Sequence, residues 1–263
     1  MNTIVHKINI IKSYLIMYFK EKMIFPFESV FTVFSFILRA AEILLFWQSI
    51  NNAGIAFPGW GQEKIMFFIS LNFLNIAIDS FNFGYRDLEY DVSEGQFDVY
   101  MTKGVNPFLL LKLERMNFLY IFLHVVISIP LLIYCAINFK IDTSLFLISV
   151  IVSIFASFTL STLYATFSLL AFKLGRVYML REMVFSFMSF QKYPTDIFPR
   201  IIYDFFFYII PLGLISTIPT KIAFGEIDPV LPLVIAFSFA LVSAILMRSL
   251  QKKALSMYKG TGN

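Results

Sequence analysis

From Leu145 to Phe172 the chain carries no charged side chain. A helix needs roughly 20 apolar residues to cross a hydrocarbon core of about 30 Å, so this run is long enough to span. Inside a bilayer every backbone N–H and C=O must be satisfied internally, which leaves only helices and closed barrels. A barrel strand alternates apolar and polar positions over about 10 residues, and Leu145 to Ala156 does not alternate. The chain is therefore read as an all-α integral membrane protein. Its composition agrees. Of 263 residues 59 % are hydrophobic, against about 45–50 % in a soluble domain. Mean hydropathy is +0.77. Phe occurs 33 times, and the charged residues, only 14 %, fall between the apolar runs.

Five runs are predicted to span: Phe27 to Ser49, Lys64 to Gly84, Met116 to Ile137, Leu145 to Phe172 and Pro229 to Leu250. Trp47 and Trp60 bracket the far interface of the first. Pro130 is expected to kink the third, and the length of the fourth suggests tilt. Two further segments compete. Residues 175–193 are interrupted by Arg176, Arg181 and Glu182, whereas 201–218 are more apolar. Positive charge is retained in the cytoplasm. With six spans and both termini inside, only Lys64, Lys140, Lys192, Arg200 and Lys221 of the 21 Lys and Arg residues lie outside, and Arg39 lies within the first span. Seven spans would put the basic tail of Arg248, Lys252, Lys253 and Lys259 outside. The expectation is six spans in a cytoplasmic (inner) membrane, with one middle segment not crossing fully.

Residues 6–22 precede the first span. Ile8, Ile11, Leu15 and Tyr18 or Phe19 recur at helical spacing among Lys7, Lys12 and Lys20. This predicts an amphipathic helix in the cytoplasmic interface. The basic stretch before the first apolar core is too long for a cleaved signal peptide. The whole chain, 1–263, reads as a single transmembrane domain.

Residues 85–106 are the longest polar stretch. Asp87, Glu89, Asp91, Glu94 and Asp98 stand against Arg86 and Lys103. Residues 86–94 are predicted as a short helix, with Gly95 at its C-terminal stop. Lys103-Gly104 reads as a turn, and Asn106-Pro107 as an N-cap followed by Pro at the first helical position. Such a structured loop suggests a docking surface for a cytoplasmic partner; the alternative is a solvated acidic loop.

Asn72, Asn75, Asp79 and Asn82 form a stripe along the second span. A carboxylate at membrane depth rarely faces lipid. The stripe either lines a substrate path or joins helices by hydrogen bonds. Arg39 and Glu42 on the first span, at i and i+3, are expected to pair and are also candidates for the path. On the fourth span Ser153, Ser157, Ser161, Tyr164 and Ser168 share a face, which predicts close helix packing. His124 and Ser128 on the third span suit a polar network.

Several chemistries find no support. There is no G-x-x-x-x-G-K-[ST] phosphate loop, no H-E-x-x-H and no G-x-S-x-G, so no ATP hydrolysis is expected within this chain. The single Cys135 and two His offer no metal set. The net charge of +4 reflects topology and does not suggest nucleic acid.

Two stretches are more specific. Val92 to Pro107 reads VSEGQFDVYMTKGVNP, and Phe190 to Pro199 reads FQKYPTDIFP, continuing through Ile209 to Leu212 (IIPL) and Ile218-Pro219. Together they resemble the six-span ABC-2-type exporter permeases of bacteria, over essentially the whole chain. Thr102 to Val105 departs from the family's usual Pro soon after the Asp. The resemblance implies a permease that dimerises with itself or a similar half. It implies a separate ABC ATPase, which would bind the ATP and Mg, docked on a coupling helix within the Asp87–Asp98 loop. It also implies 175–193 as the fifth span and 194–228 as an external or re-entrant segment. The function expected is export of a hydrophobic or amphipathic substrate. The competing reading is an ion-coupled secondary transporter or channel, with Asp79 or Arg39 and Glu42 as its coupling site. A lipid-modifying enzyme and a scaffold subunit are further alternatives.

Overall fold

A computed structural model describes residues 2–52, 58–175, 177–208 and 210–258, and the side chains of these except 2–7, 51, 180, 181 and 184. The expectations that fall on His6, Lys7, Arg176, Arg181, Ile209, Lys259 and Gly262 lie, in side chain or entirely, outside the described residues.

Pro26 divides the N-terminal helical stretch in two. Helix α1 (Asn2–Ile24) ends before it, and α2 (Pro26–Asn52) starts on it, where its missing N–H costs nothing. Helix α3 (Gln62–Asp79) continues as a 3-10 turn over Ser80–Tyr85. Three short helices follow: α4 (Leu88–Ser93), α5 (Phe97–Thr102) and α6 (Pro107–Arg115). Gly95 (φ 73°) and Gly104 (φ 66°) separate them at the two predicted positions. The Asn106 side chain accepts from Phe108 N at 3.0 Å and Leu109 N at 3.1 Å, capping α6 as expected. The long hairpin of α7 (Phe118–Asn138, containing Pro130) and α8 (Thr143–Ser168) comes next. Asn117 caps α7 and Asp142 caps α8. After α9 (Ala171–Leu174), α10 (Tyr178–Ser189) and a 3-10 turn at Phe190–Lys192, the chain makes a second 3-10 turn at Thr195–Ile197. Helices α11 (Arg200–Tyr208), α12 (Thr217–Ala223) and α13 (Val230–Met257) complete it.

Five helical stretches are long and apolar enough to cross a membrane: Pro26–Ile50, Gln62–Ser93, Phe118–Asn138, Thr143–Leu174 and Val230–Met257. They coincide with the five predicted runs. Neither candidate for a further span forms one helix of that length. Helix α10 has 12 residues and α11 has 9. The apolar run 201–218 is broken by Pro211 and Gly213, and Leu212, Leu214 and Ile215 are buried in protein. Hydropathy alone could not separate protein-buried from lipid-facing residues here.

The bundle has two ends. The loop end carries residues 80–117; at the far end α2 meets α3 and α7 meets α8. Helix α3 is central, packed on α7 and α8, and Phe67, Phe68, Leu71 and Phe73 on it are almost fully buried. Helix α8 packs along α13, where Ala236, Ala240 and Ser243 let the two helices approach closely. Helix α2 sits at the periphery and exposes Phe27, Phe31 and Leu45. Exposed apolar faces of this size suit lipid rather than water.

Between α11 and α12 the chain runs against α3. Ile215 and Ser216 touch Asn75 in its C-terminal half, while Glu226 pairs with Lys64 near its start. Buried irregular backbone needs its polar groups satisfied by protein. The Ile215 carbonyl accepts from Asn75 Nδ2 at 3.1 Å and Ser153 Oγ at 2.5 Å.

Candidate functional site

The polar stripe on α3 divides. Asn75 is wholly engaged: its Nδ2 donates to Ile215 O and Ser216 Oγ, and its Oδ1 accepts from Ser157 at 2.7 Å and lies 2.9 Å from Ser153 Oγ, whose one proton is shared with Ile215 O. Asn82 Nδ2 donates to Ser161 Oγ at 2.8 Å. The serines of α8 therefore join that helix to Asn75 of α3 and to Asn82 of the 3-10 turn that continues it. Their shared face on α8 signalled close packing; their partners could not be read from α8 alone.

Asn72 and Asp79 lie elsewhere. Asn72 donates to Phe68 O on its own helix and lines a cavity of about 110 Å³ with Arg39, Glu42, Trp47, Gln191 and Lys192. Asp79 lines an adjoining space of about 250 Å³ with Arg39, Tyr120, Gln191 and Lys192. The shared residues make these one cleft between α2, α3 and the 190–193 turn. Gln191 Nε2 donates to Asp79 Oδ2 at 3.3 Å. Asp79 Oδ1, Arg39 Nε and Gln191 Oε1 are buried without a hydrogen-bond partner. No ion pair joins Arg39 to Glu42 among the described residues, contrary to the expected i,i+3 pair: Arg39 is half-buried while Glu42 is exposed. Gln191 and Lys192 stand out in the sequence only as part of a motif, because nothing local ties them to α3.

His124 is buried between Phe36 and Phe73, with Nδ1 2.8 Å from Tyr120 O. Ser128 bonds its own helix at Val125 O, so no network joins the two.

The loop end has its own core. Tyr85 stacks on Phe108 at 6.1 Å, and Phe97 meets Phe108, Phe172 and Tyr258 at 5.0–5.6 Å. Gln251 of α13 donates to Tyr85 Oη at 2.6 Å. Gly84 lets the 3-10 turn lie on α6, since a Cβ there would stand 2.8 Å from Leu111 O. Burial pushes the Tyr100 phenol up to about 12 and lowers the Lys112 amine. Tyr18 of α1 donates to Asn117 Oδ1 at 2.8 Å and accepts from Leu119 N at 3.1 Å, so α1 lies across this end.

The acidic residues of the loop have different surroundings. Asp91 is fully buried against Arg115 at 2.5 Å. Glu89 is half-buried, and its Oε2 has no partner. Asp87 lies beside Arg86 at 3.4 Å. Asp98 is half-buried near Tyr258, whose phenol is pushed up to about 12 by burial and by Asp98. Glu94 is exposed beside Gly95, and near it in sequence Tyr90 and Val99 are each 56 % exposed. The outer surface of the loop thus mixes acid and apolar groups.

No cluster of His, Cys, Asp or Glu among the described residues could hold a metal ion. No curated protein and no solved structure matches the chain. The family described as ABC-2 family transporter protein matches residues 36–262. That match reaches from α2 through the loop end and cleft to the C-terminal tail. The chain therefore belongs to the ABC-2 transporter family and is the membrane-embedded permease subunit of an ABC transporter.

Proposed function

We propose that this permease exports a hydrophobic or amphipathic substrate across the cytoplasmic membrane, driven by a separate ATPase docked at the loop end. The observation that carries this reading is the packing of the loop. Residues 80–115 are clamped to α8, α9 and α13 by an aromatic core, and the 3-10 turn makes them continuous with α3. A push on α4 or α5 is then transmitted to the helix that lines the cleft. The permease would act as one half of a dimer, and the ATP and Mg would belong to the ATPase.

In this reading the loop end and both termini face the cytoplasm, in line with the charge distribution. The fifth crossing, 175–193, is made in pieces: α10, the 190–192 turn and extended Tyr193. Residues 194–228 then form the re-entrant segment, with Asn75 and Ser153 supplying its donors.

The test is co-purification with the cognate ATPase. Glu94→Lys and Tyr90→Ala alter exposed groups without touching the aromatic core, and each should reduce recovery of the ATPase while leaving permease yield unchanged. Full recovery with both would count against docking at this surface. Asp91 is unsuitable for this test because it is buried. A second reading, ion-coupled transport without an ATPase, draws on the unpartnered Asp79 oxygen. Transport that persists without ATP but collapses with the proton gradient would favour it.

A further inference from the structure

The cleft between α2, α3 and the 190–193 turn holds three buried polar atoms with no protein partner. Two are acceptors, Asp79 Oδ1 and Gln191 Oε1; one is a cationic donor, Arg39 Nε. Asp79 is only 6 % exposed, so bulk water does not easily serve it, and an unmatched charge at low dielectric is costly. We infer that this cleft binds an amphipathic zwitterion, with a protonated amine at Asp79 and Gln191 and an acid group at Arg39.

Charge complementarity selects the ligand. A simple amine would satisfy the two acceptors and leave Arg39 unmatched beside a second cation. A simple acid would satisfy Arg39 and leave Asp79 unmatched beside a second anion. Only a ligand carrying both charges meets all three atoms. Its body is set by the rest of the lining. Phe46, Trp47, Ile69 and Tyr193 make the part of the cleft beside Asn72 apolar and aromatic. Tyr120 and Phe185 line the part beside Asp79, and an aromatic ring there suits an ammonium group. The same chemistry occurs in a lipid headgroup with a primary amine and in a free amphiphile. The proposal rests on the permease reading for its role as substrate site, but ligand binding itself does not require the ATPase.

The chain contains two Trp, and Trp47 lines the cleft, which provides a fluorescence reporter. The full chain in phosphatidylcholine nanodiscs is titrated with 2-aminotetradecanoic acid, dodecylamine and dodecanoate. The zwitterion should bind about tenfold more tightly than either singly charged probe, the usual scale for one charged hydrogen bond. Asp79→Asn should weaken the amino acid and the amine but not dodecanoate. Arg39→Gln should weaken the amino acid and dodecanoate but not the amine. Trp47→Phe should remove the signal. Equal affinity for all three probes in the unmutated chain would overturn the inference even if a variant failed to fold, as would a signal that survives Trp47→Phe. Repeating the titration with phosphatidylethanolamine in the nanodisc identifies the source. Competition by that lipid supports the class through a headgroup; no competition, with the ranking intact, supports it through a free amphiphile. Because no ATPase is present, failed docking at the loop end would leave this result unchanged, and failure here would leave the docking proposal standing.

Discussion

Asn75 and Asn82 meet α8, where Ser153 and Ser157 stand against the Asn75 amide oxygen and Ser161 accepts from Asn82, whose own Oδ1 stays unmatched. Asn72 and Asp79, on the same helix and in the same stripe, border the cleft beneath α2, where Asp79 keeps an unmatched oxygen. The two pairs are chemically alike, and what separates them is what stands opposite. One edge of α3 holds irregular backbone and a neighbouring helix. The other is left open to the cleft. At the loop end burial differs as well: Asp91 is buried on Arg115 through one oxygen, its other oxygen unmatched, while Glu94 is exposed.

Substitutions should separate enclosed from open positions by their effect on stability. The largest loss is expected at Asp91. Replacing it with Ala leaves Arg115 without its carboxylate and should cost about 3 kcal/mol, the low end for breaking a buried pair because Arg115 is partly exposed. Thermal unfolding in detergent would show it. Asn75→Leu should cost roughly 2 kcal/mol, because the Ile215 carbonyl and two serines lose a partner; the same unfolding assay applies, and a change below that for Asp79 would erase the proposed distinction. Asn106→Ala removes the cap of α6 and should cost about 1 kcal/mol, seen as a small shift in the unfolding midpoint. The smallest change is expected at Asp79. Asp79→Asn keeps the shape and removes an incompletely matched charge, so stability should stay within about 0.5 kcal/mol of the parent while ligand binding changes.

Much of this fold was legible because the bilayer imposes a length and a hydropathy that the chain must meet. All five long spans and the Gly95, Gly104 and Asn106 punctuation of the loop follow from local rules. Asn72, Asn75, Asp79 and Asn82 read as one stripe, and the spacing does not show its division. What lies opposite each edge was not legible. Gln191 reaches Asp79 across 112 residues of sequence, and Ile215 reaches Asn75 across 140. The segment 201–218 is apolar for a related reason: Leu212, Leu214 and Ile215 are buried against protein, so hydropathy by itself does not report a crossing there.

The central claim is that force enters the permease at the loop end. The chain has a single, buried cysteine, Cys135, so a Cys135→Ala background gives a clean start for site-directed cross-linking to the ATPase in membranes. A cysteine at Tyr90 or Val99 should be captured by the ATPase, and one at Lys140, at the far end, should not. Capture at Lys140 with none at the loop end would contradict it.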